Sequence, residues 1–103
     1  MMIDYRFERD CRTPYSEAYV ISANQSAVGR VDLHFAANLV TAMLCVGENL
    51  TAEEIRELID VIDEELVLSS DVPRDDFIVT VFQGREAGIF SDEEFDGEEE
   101  FEV

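Results

Sequence analysis

Two stretches of the chain alternate strictly between apolar and polar side chains, and this alternation limits the possible fold more than any other feature. The first runs from Ile3 to Phe7 and the second from Arg30 to Phe35. Successive side chains of a β-strand point to opposite faces of the sheet, so each stretch predicts a strand with one buried face and one solvated face. The chain should therefore contain a sheet that is covered on one side.

Four strands are predicted in the first half of the chain; they span about 3 to 9, 16 to 23, 28 to 36 and 39 to 46. Pro14 separates the first two, because proline has no N–H to donate to a central ladder. The polar sequence Asn24-Gln25-Ser26 predicts a hairpin between the second and third strands. Short connections between successive strands indicate an antiparallel meander.

An amphipathic helix is predicted to begin at Thr51. The Thr51 hydroxyl can accept a hydrogen bond from the third helical amide, and Glu54 can reach back to the Thr51 amide, which together make a capping box. Apolar residues then recur at spacings of three and four, which predicts one stripe that packs on the sheet. This stripe consists of Ile55, Leu58, Ile59, Ile62 and Leu66.

Two further strands are predicted after the helix. Residues 77 to 82 are β-branched and aromatic. Gly84-Arg85 favours a two-residue hairpin turn, after which residues 87 to 90 would return as a short last strand. The predicted fold class is α+β: an antiparallel β-meander with one amphipathic helix packed on the sheet, in the order ββββαββ.

The charge distribution predicts one domain and a tail. The 103 residues include 25 acids and 7 basic residues, for a net charge of −18. Residues 92–103 contain 8 of the acids and no basic residue, so residues 1–91 retain a charge of −10. We expect 1–91 to form a single α+β domain and 92–103 to be an acidic, disordered tail.

The negative net charge disfavours direct binding to nucleic acid or to a membrane surface, and it favours a basic protein partner.

No motif predicts a cofactor or a metal. Cys11 and Cys45 form no CxxC or Cys/His spacing, and they are expected to be reduced thiols. The segment from Asp92 to Gly97 copies the opening of an EF-hand loop, but Val103 stands where that loop requires a bidentate Glu. The N-terminal residues resemble no signal peptide, so a cytoplasmic location is expected.

The solvated face of the sheet offers one candidate site. If the first and third strands lay side by side, Arg6 would join Arg30, Asp32 and His34 in one exposed patch. His34 could then act as a proton shuttle oriented by Asp32 or Glu8. The alternative is a solvated face with cross-strand ion pairs and no chemistry.

Two further segments could bind a partner. The helix carries Glu53, Glu57, Asp60 and Glu64 on the side opposite its apolar stripe. These carboxylates either keep the protein in solution or bind a basic surface; no His stands at the spacing that carboxylate metal sites in helical bundles use. In the tail, Phe95 and Phe101 could anchor an acidic segment in a basic, apolar groove.

The sequence thus predicts an interaction protein of the inhibitor, immunity or regulatory type, which binds a basic protein surface and is not an enzyme. One alternative is a small ligand-binding protein or enzyme that uses the Arg/His/Asp sheet face. Another is a structural homodimer that pairs through an uncovered sheet face with Tyr15, Tyr19 and Ile21. A monomer and a homodimer both remain open.

Overall fold

The computed structural model describes residues 3–68 and 76–92, and it shows one helix packed on one five-stranded sheet. The elements are β1 (Tyr5–Thr13), β2 (Ser16–Ala23), β3 (Ser26–Phe35), β4 (Leu39–Gly47), α1 (Ala52–Ile62) with a π-helical turn after it (Asp63–Val67), and β5 (Asp76–Gly84). The strands lie in the order β1-β2-β3-β4-β5. This arrangement confirms the predicted α+β class and the antiparallel meander of β1 to β4.

The hairpin between β2 and β3 is a two-residue turn. Asn24 has a φ of 54° and Gln25 a φ of 68°, and Ala23 pairs with Ser26 on either side of them. Positive φ at both central residues is the geometry of a type I′ turn, whose twist matches that of the flanking strands. The hairpin predicted at this position is therefore confirmed.

The end of the sheet differs from the prediction. β5 runs parallel to β4, from Leu39 opposite Asp76 to Gly47 opposite Gly84, and residues 85–91 belong to no strand. Gly84 does not have the positive φ that a hairpin turn after β5 would need. A parallel partner requires a long crossover, which α1 provides. The order in the described residues is ββββαβ, without the predicted sixth strand.

The core lies between α1 and one face of the sheet. Every second residue of the central strands points into it, as the alternation predicts, and the helix contributes its apolar stripe. The largest fully buried side chains are Ile21, Val31, Leu33, Val40, Leu44, Leu58, Ile62 and Val67. Residues one position out of step with these lie on the opposite face of the sheet.

The start of α1 matches the predicted capping box. The Thr51 Oγ1 accepts a hydrogen bond from the Glu54 amide at 3.1 Å, and the Glu54 Oε1 accepts one from the Thr51 amide at 2.9 Å. The other end differs, because the π-helical turn adds a residue to the last turn. As a result Val67 is fully buried, whereas Leu66, which the 3.6-residue period places in the stripe, is only partly buried.

Tyr5 is a polar exception within the core. Its side chain is buried, and its hydroxyl has no hydrogen-bond partner among the described residues. Burial raises the pKa of Tyr5 above its ordinary value of 10.0, and the charges of Glu54 and Glu57 raise it further. An unpartnered buried hydroxyl reduces stability, because its desolvation is not compensated.

We expect Tyr5→Phe to raise the free energy of unfolding by about 1 kcal/mol at pH 7, since it removes this hydroxyl. The pKa of Tyr5 is higher in the folded state than in the unfolded state, so the linked stability is complete below about pH 10 and is lost as the pH rises through the folded pKa. Tyr5→Phe should therefore lose less stability at alkaline pH. Urea unfolding at pH 7 and at higher pH measures both effects. The exposed Tyr15→Phe is the control, and equal gains in the two variants would contradict the assignment.

Candidate functional site

The face of the sheet that turns away from α1, here called the open face, is not covered by the helix. Met43, Ile78 and Phe82 are 45%, 47% and 52% exposed there. The strand register aligns the open-face residues in rows across the sheet, for example Arg30 beside Cys45 and Cys45 beside Phe82. The open face consists chiefly of Val20, Arg30, Asp32, His34, Met43, Cys45, Ile78, Thr80 and Phe82. It is charged toward β1 and apolar toward β5.

The charged part is centred on Arg30. Its Nη2 lies 3.1 Å from the Asp10 Oδ2, and its Nε lies 3.6 Å from the Asp32 Oδ1. Asp10 lies two strands away, at an irregularity in β1 between Arg9 and Cys11 that interrupts the pairing with β2. The hydrogen bond to Asp10 is the main reason why the pKa of Arg30 is raised. Because these groups are exposed to solvent, the pairs add little stability.

The structure brings only part of the predicted sheet-face cluster together. β2 lies between β1 and β3, so Arg6 is opposite Ser22 and its ion pair, at 3.7 Å, is with Asp4. Arg30 and Asp32 are in contact, but Arg6 is not part of this group. His34 is exposed on β3, opposite Ser16 and Thr41.

Asp10 is a member of the charged cluster that the sequence did not indicate. Its contact with Arg30 depends on the irregularity in β1, where the pairing with β2 skips one residue. The alternation of β1 provides no signal of such an irregularity. The charged cluster of the structure thus consists of Arg30 with Asp10 and Asp32, and a functional role of His34 stays a prediction.

A groove of about 570 Å³ lies at the end of the open face formed by β3, β4 and β5. Its lining includes the apolar Val20, Cys45 and Phe82 and the charged Arg30 and Arg85. This volume is within the range of small-molecule sites. However, Arg30 already binds two carboxylates, and His34 does not line the groove. The groove is not predictable from the sequence, which favours a hairpin turn at residues 84 and 85.

The amide of Gln83 holds the chain in place beside this groove. Its Nε2 donates hydrogen bonds to the carbonyl oxygens of Gly47, at 3.1 Å, and of Leu50, at 2.8 Å. These two bonds connect the end of β5 to the segment that leads into α1. The groove and the start of the helix are therefore parts of one hydrogen-bonded framework.

The outward side of α1 and its π-helical turn forms the second candidate surface, here called the acidic helix face, which consists of Glu53, Glu57, Asp60 and Glu64. Glu57 is partly buried and the other three are exposed. None of the four takes part in a salt bridge within residues 3–68 and 76–92. Between Ala52 and Val67 the chain has seven acids and one arginine. The acidic helix face is therefore a surface of uncompensated negative charge.

The remaining predicted residues are not brought together. Tyr15 is 73% exposed, Ile21 is fully buried in the core, and Tyr19 donates a hydrogen bond from its hydroxyl to the Glu17 Oε1 at 2.5 Å. These three residues do not form a common exposed patch, because Ile21 is buried, and the homodimer itself stays a prediction. Phe95 and Phe101 lie outside the described residues and stay predictions, as does the disorder of the tail.

Comparison of the chain with family models, with curated proteins and with solved structures gives no match in any of the three. In the part of the chain that the structure describes, no group of three or more His, Cys, Asp or Glu side chains is arranged to hold a metal ion. No described helix combines the length and apolar character that a membrane crossing requires. Functional inference therefore depends on the two surfaces themselves.

Proposed function

We propose that this chain is a non-catalytic interaction protein whose acidic helix face binds a basic protein surface. The observation that supports the proposal best is the row of exposed carboxylates at Glu53, Asp60 and Glu64 on one side of the helix, which form no salt bridge within residues 3–68 and 76–92. A protein that binds in this way would act as an inhibitor, an immunity protein or a regulator.

The acidic helix face is held in a defined position. Leu58 and Ile62 anchor α1 in the core, and the capping box fixes its first turn. The residues from Glu53 to Glu64 extend over about 16 Å at a rise of about 1.5 Å per residue. A partner with arginines or lysines at a similar spacing could pair with several carboxylates without having to order them first, which reduces the entropic cost of binding.

The charges also favour association over long range. A surface of one sign attracts a basic partner and raises the association rate, and dissolved salt screens this attraction within about 10 Å at 0.1 M ionic strength. Like charges at helical spacing destabilise the helix slightly, so the arrangement carries a cost in the free protein. Binding of a basic partner would remove that repulsion.

The proposal is tested with the full chain and a synthetic arginine-rich peptide of about ten residues as the probe. Fluorescence anisotropy should show binding at low salt that weakens as salt is added. The triple variant Glu53→Gln, Asp60→Asn, Glu64→Gln should bind the peptide about tenfold more weakly, which corresponds to about 1.4 kcal/mol shared by three charge pairs.

The matched control is the triple variant Glu8→Gln, Glu48→Gln, Glu86→Gln. This control also removes three negative charges, but from exposed positions outside the helix. We expect its affinity to fall less than threefold. If both triple variants lose affinity equally, the peptide responds to net charge alone and the acidic helix face is not a specific site.

A further inference from the structure

The two edge strands of the sheet are built in opposite ways. β1, at one edge, contains Arg6, Glu8, Arg9, Asp10 and Arg12, and its pairing is irregular between Arg9 and Cys11. Charged side chains and bulges are the features by which proteins prevent an edge strand from pairing with another chain. The β1 edge is therefore protected against such pairing.

β5, at the other edge, is charged only at its first residue, Asp76, whose Oδ1 accepts a hydrogen bond from the Phe77 amide at 2.7 Å. From Phe77 to Gln83 it contains no charged residue and no proline, and it pairs with β4 in one unbroken register. Within the described residues β4 is the only strand that pairs with β5. The apolar Ile78, Val81 and Phe82 are 47%, 36% and 52% exposed. A long, regular, apolar edge of this kind is a template for addition of another strand.

We propose that β5 is a dimerisation edge, at which two copies of this chain pair their β5 strands antiparallel and form one continuous ten-stranded sheet. Identical strands can meet in this way about a two-fold axis, which is the commonest symmetry of soluble homo-oligomers. A second copy of the same chain suits the edge, because the exposed Ile78 and Phe82 of one strand meet Phe82 and Ile78 of the other about such an axis. This inference does not depend on the acidic helix face.

The alternation of β5 restricts the register of this pairing. Residues directly opposite each other in a sheet lie on the same face, so an open-face residue must meet another open-face residue. With the axis at Thr80, the centre of β5, the paired segment runs from Ile78 to Phe82, and Phe77 stays outside it because its amide already donates to the Asp76 carboxylate. An axis at any other residue pairs fewer of the residues from Ile78 to Phe82.

This register is also favourable for the side chains. On the open face Ile78 meets the partner's Phe82, and Thr80 meets the partner's Thr80. On the helix side Val79 meets the partner's Val81. Aromatic pairs with β-branched residues and pairs of threonines are among the cross-strand pairs that stabilise sheets. The exposed apolar residues of the two copies would then form one strip across the dimer.

Charge gives this dimer a salt dependence opposite to that of partner binding. Each chain carries a net charge of −18, so two copies repel each other, although the edge itself is uncharged from Phe77 to Gln83. Added salt screens this repulsion and should strengthen the dimer, whereas it should weaken binding at the acidic helix face. The two proposals can thus fail independently.

Sedimentation equilibrium of the full chain between 10 and 200 µM, at moderate and high salt, tests the proposal. We expect a mass twice the 11.7 kDa of one chain, reached at lower protein concentration when salt is added. Thr80→Lys places two ammonium groups opposite each other at the axis, and this variant should sediment as one chain. Thr13→Lys, at an exposed threonine of the protected edge, should remain a dimer.

A cross-link tests the register independently of any loss of folding. In a Cys11→Ser, Cys45→Ser background, Thr80→Cys brings two sulfurs together at the axis and should yield a disulfide-linked dimer on oxidation. Ile78→Cys is the matched control. The sulfurs of the two copies would then be separated by four residues along the strands, a distance of about 13 Å, and should not form a disulfide. A single-chain mass for the unmodified protein at 200 µM overturns the proposal. So does a Thr80→Lys variant that remains a dimer, or equal cross-linking at both positions.

Discussion

Replacing Gly29 with alanine should lower the free energy of unfolding by about 3 kcal/mol, a large part of the total for a domain of this size. A Cβ at this position would overlap the carbonyl oxygen of Cys45 and would lie 3.2 Å from the Val46 Cα. All of these atoms belong to the paired backbone of β3 and β4, in the middle of the sheet. The strands can make room only by separating, which weakens their hydrogen bonds.

Gly84→Ala is the matched control for Gly29→Ala. Among the described residues, no atom lies within 4 Å of the place that a Cβ of residue 84 would take, and Gly84 has no positive φ. Alanine there restricts the unfolded chain and should leave stability unchanged or raise it slightly. Since the chain has no tryptophan, urea unfolding is followed by far-UV circular dichroism or tyrosine fluorescence. Equal losses in both variants would show that the effect is a general response of strand glycines.

Leu58→Ala should lower the free energy of unfolding by a similar amount, about 3 kcal/mol. The Leu58 side chain is fully buried between α1 and the sheet. Shortening it removes apolar contact and leaves a cavity, because the surrounding side chains relax only in part. The same unfolding measurement gives the loss directly.

This substitution also separates the role of helix position from that of charge. Leu58→Ala leaves every carboxylate in place but loosens α1 on the sheet, so binding of the arginine-rich peptide should weaken although the net charge is unchanged. The exposed Arg56→Ala, two positions earlier, should change stability by less than about 0.5 kcal/mol. A Leu58→Ala protein as stable as Arg56→Ala would contradict the packing of α1.

The features that could be predicted from the sequence are those that neighbouring residues determine. The capping box requires only Thr51 and Glu54, and the turn at Asn24 and Gln25 is indicated by the polar residues between two strands. The alternation around Val31 shows which side of β3 is buried without reference to the rest of the chain. Each of these predictions matches the structure.

The features that were missed depend on residues far apart in the sequence. Nothing near Phe77 indicates that β5 joins the sheet beside β4 in parallel, because that choice depends on where α1 delivers the chain. The contact between Asp10 and Arg30 requires the irregularity in β1, and Gly29 is needed because of the Cys45 carbonyl on the next strand. The groove between β3 and β5 follows from the same long-range pairing.

The parallel pairing of β4 with β5 also determines the order in which the protein can fold. β1 to β4 form hairpins of low contact order, and such local pairs close quickly. β4 can pair with β5 only after the residues from Asp76 onward have been synthesised and α1 has formed the crossover. On the ribosome, a nascent chain that ends before β5 would expose the unpaired edge of β4, and unpaired strand edges promote aggregation.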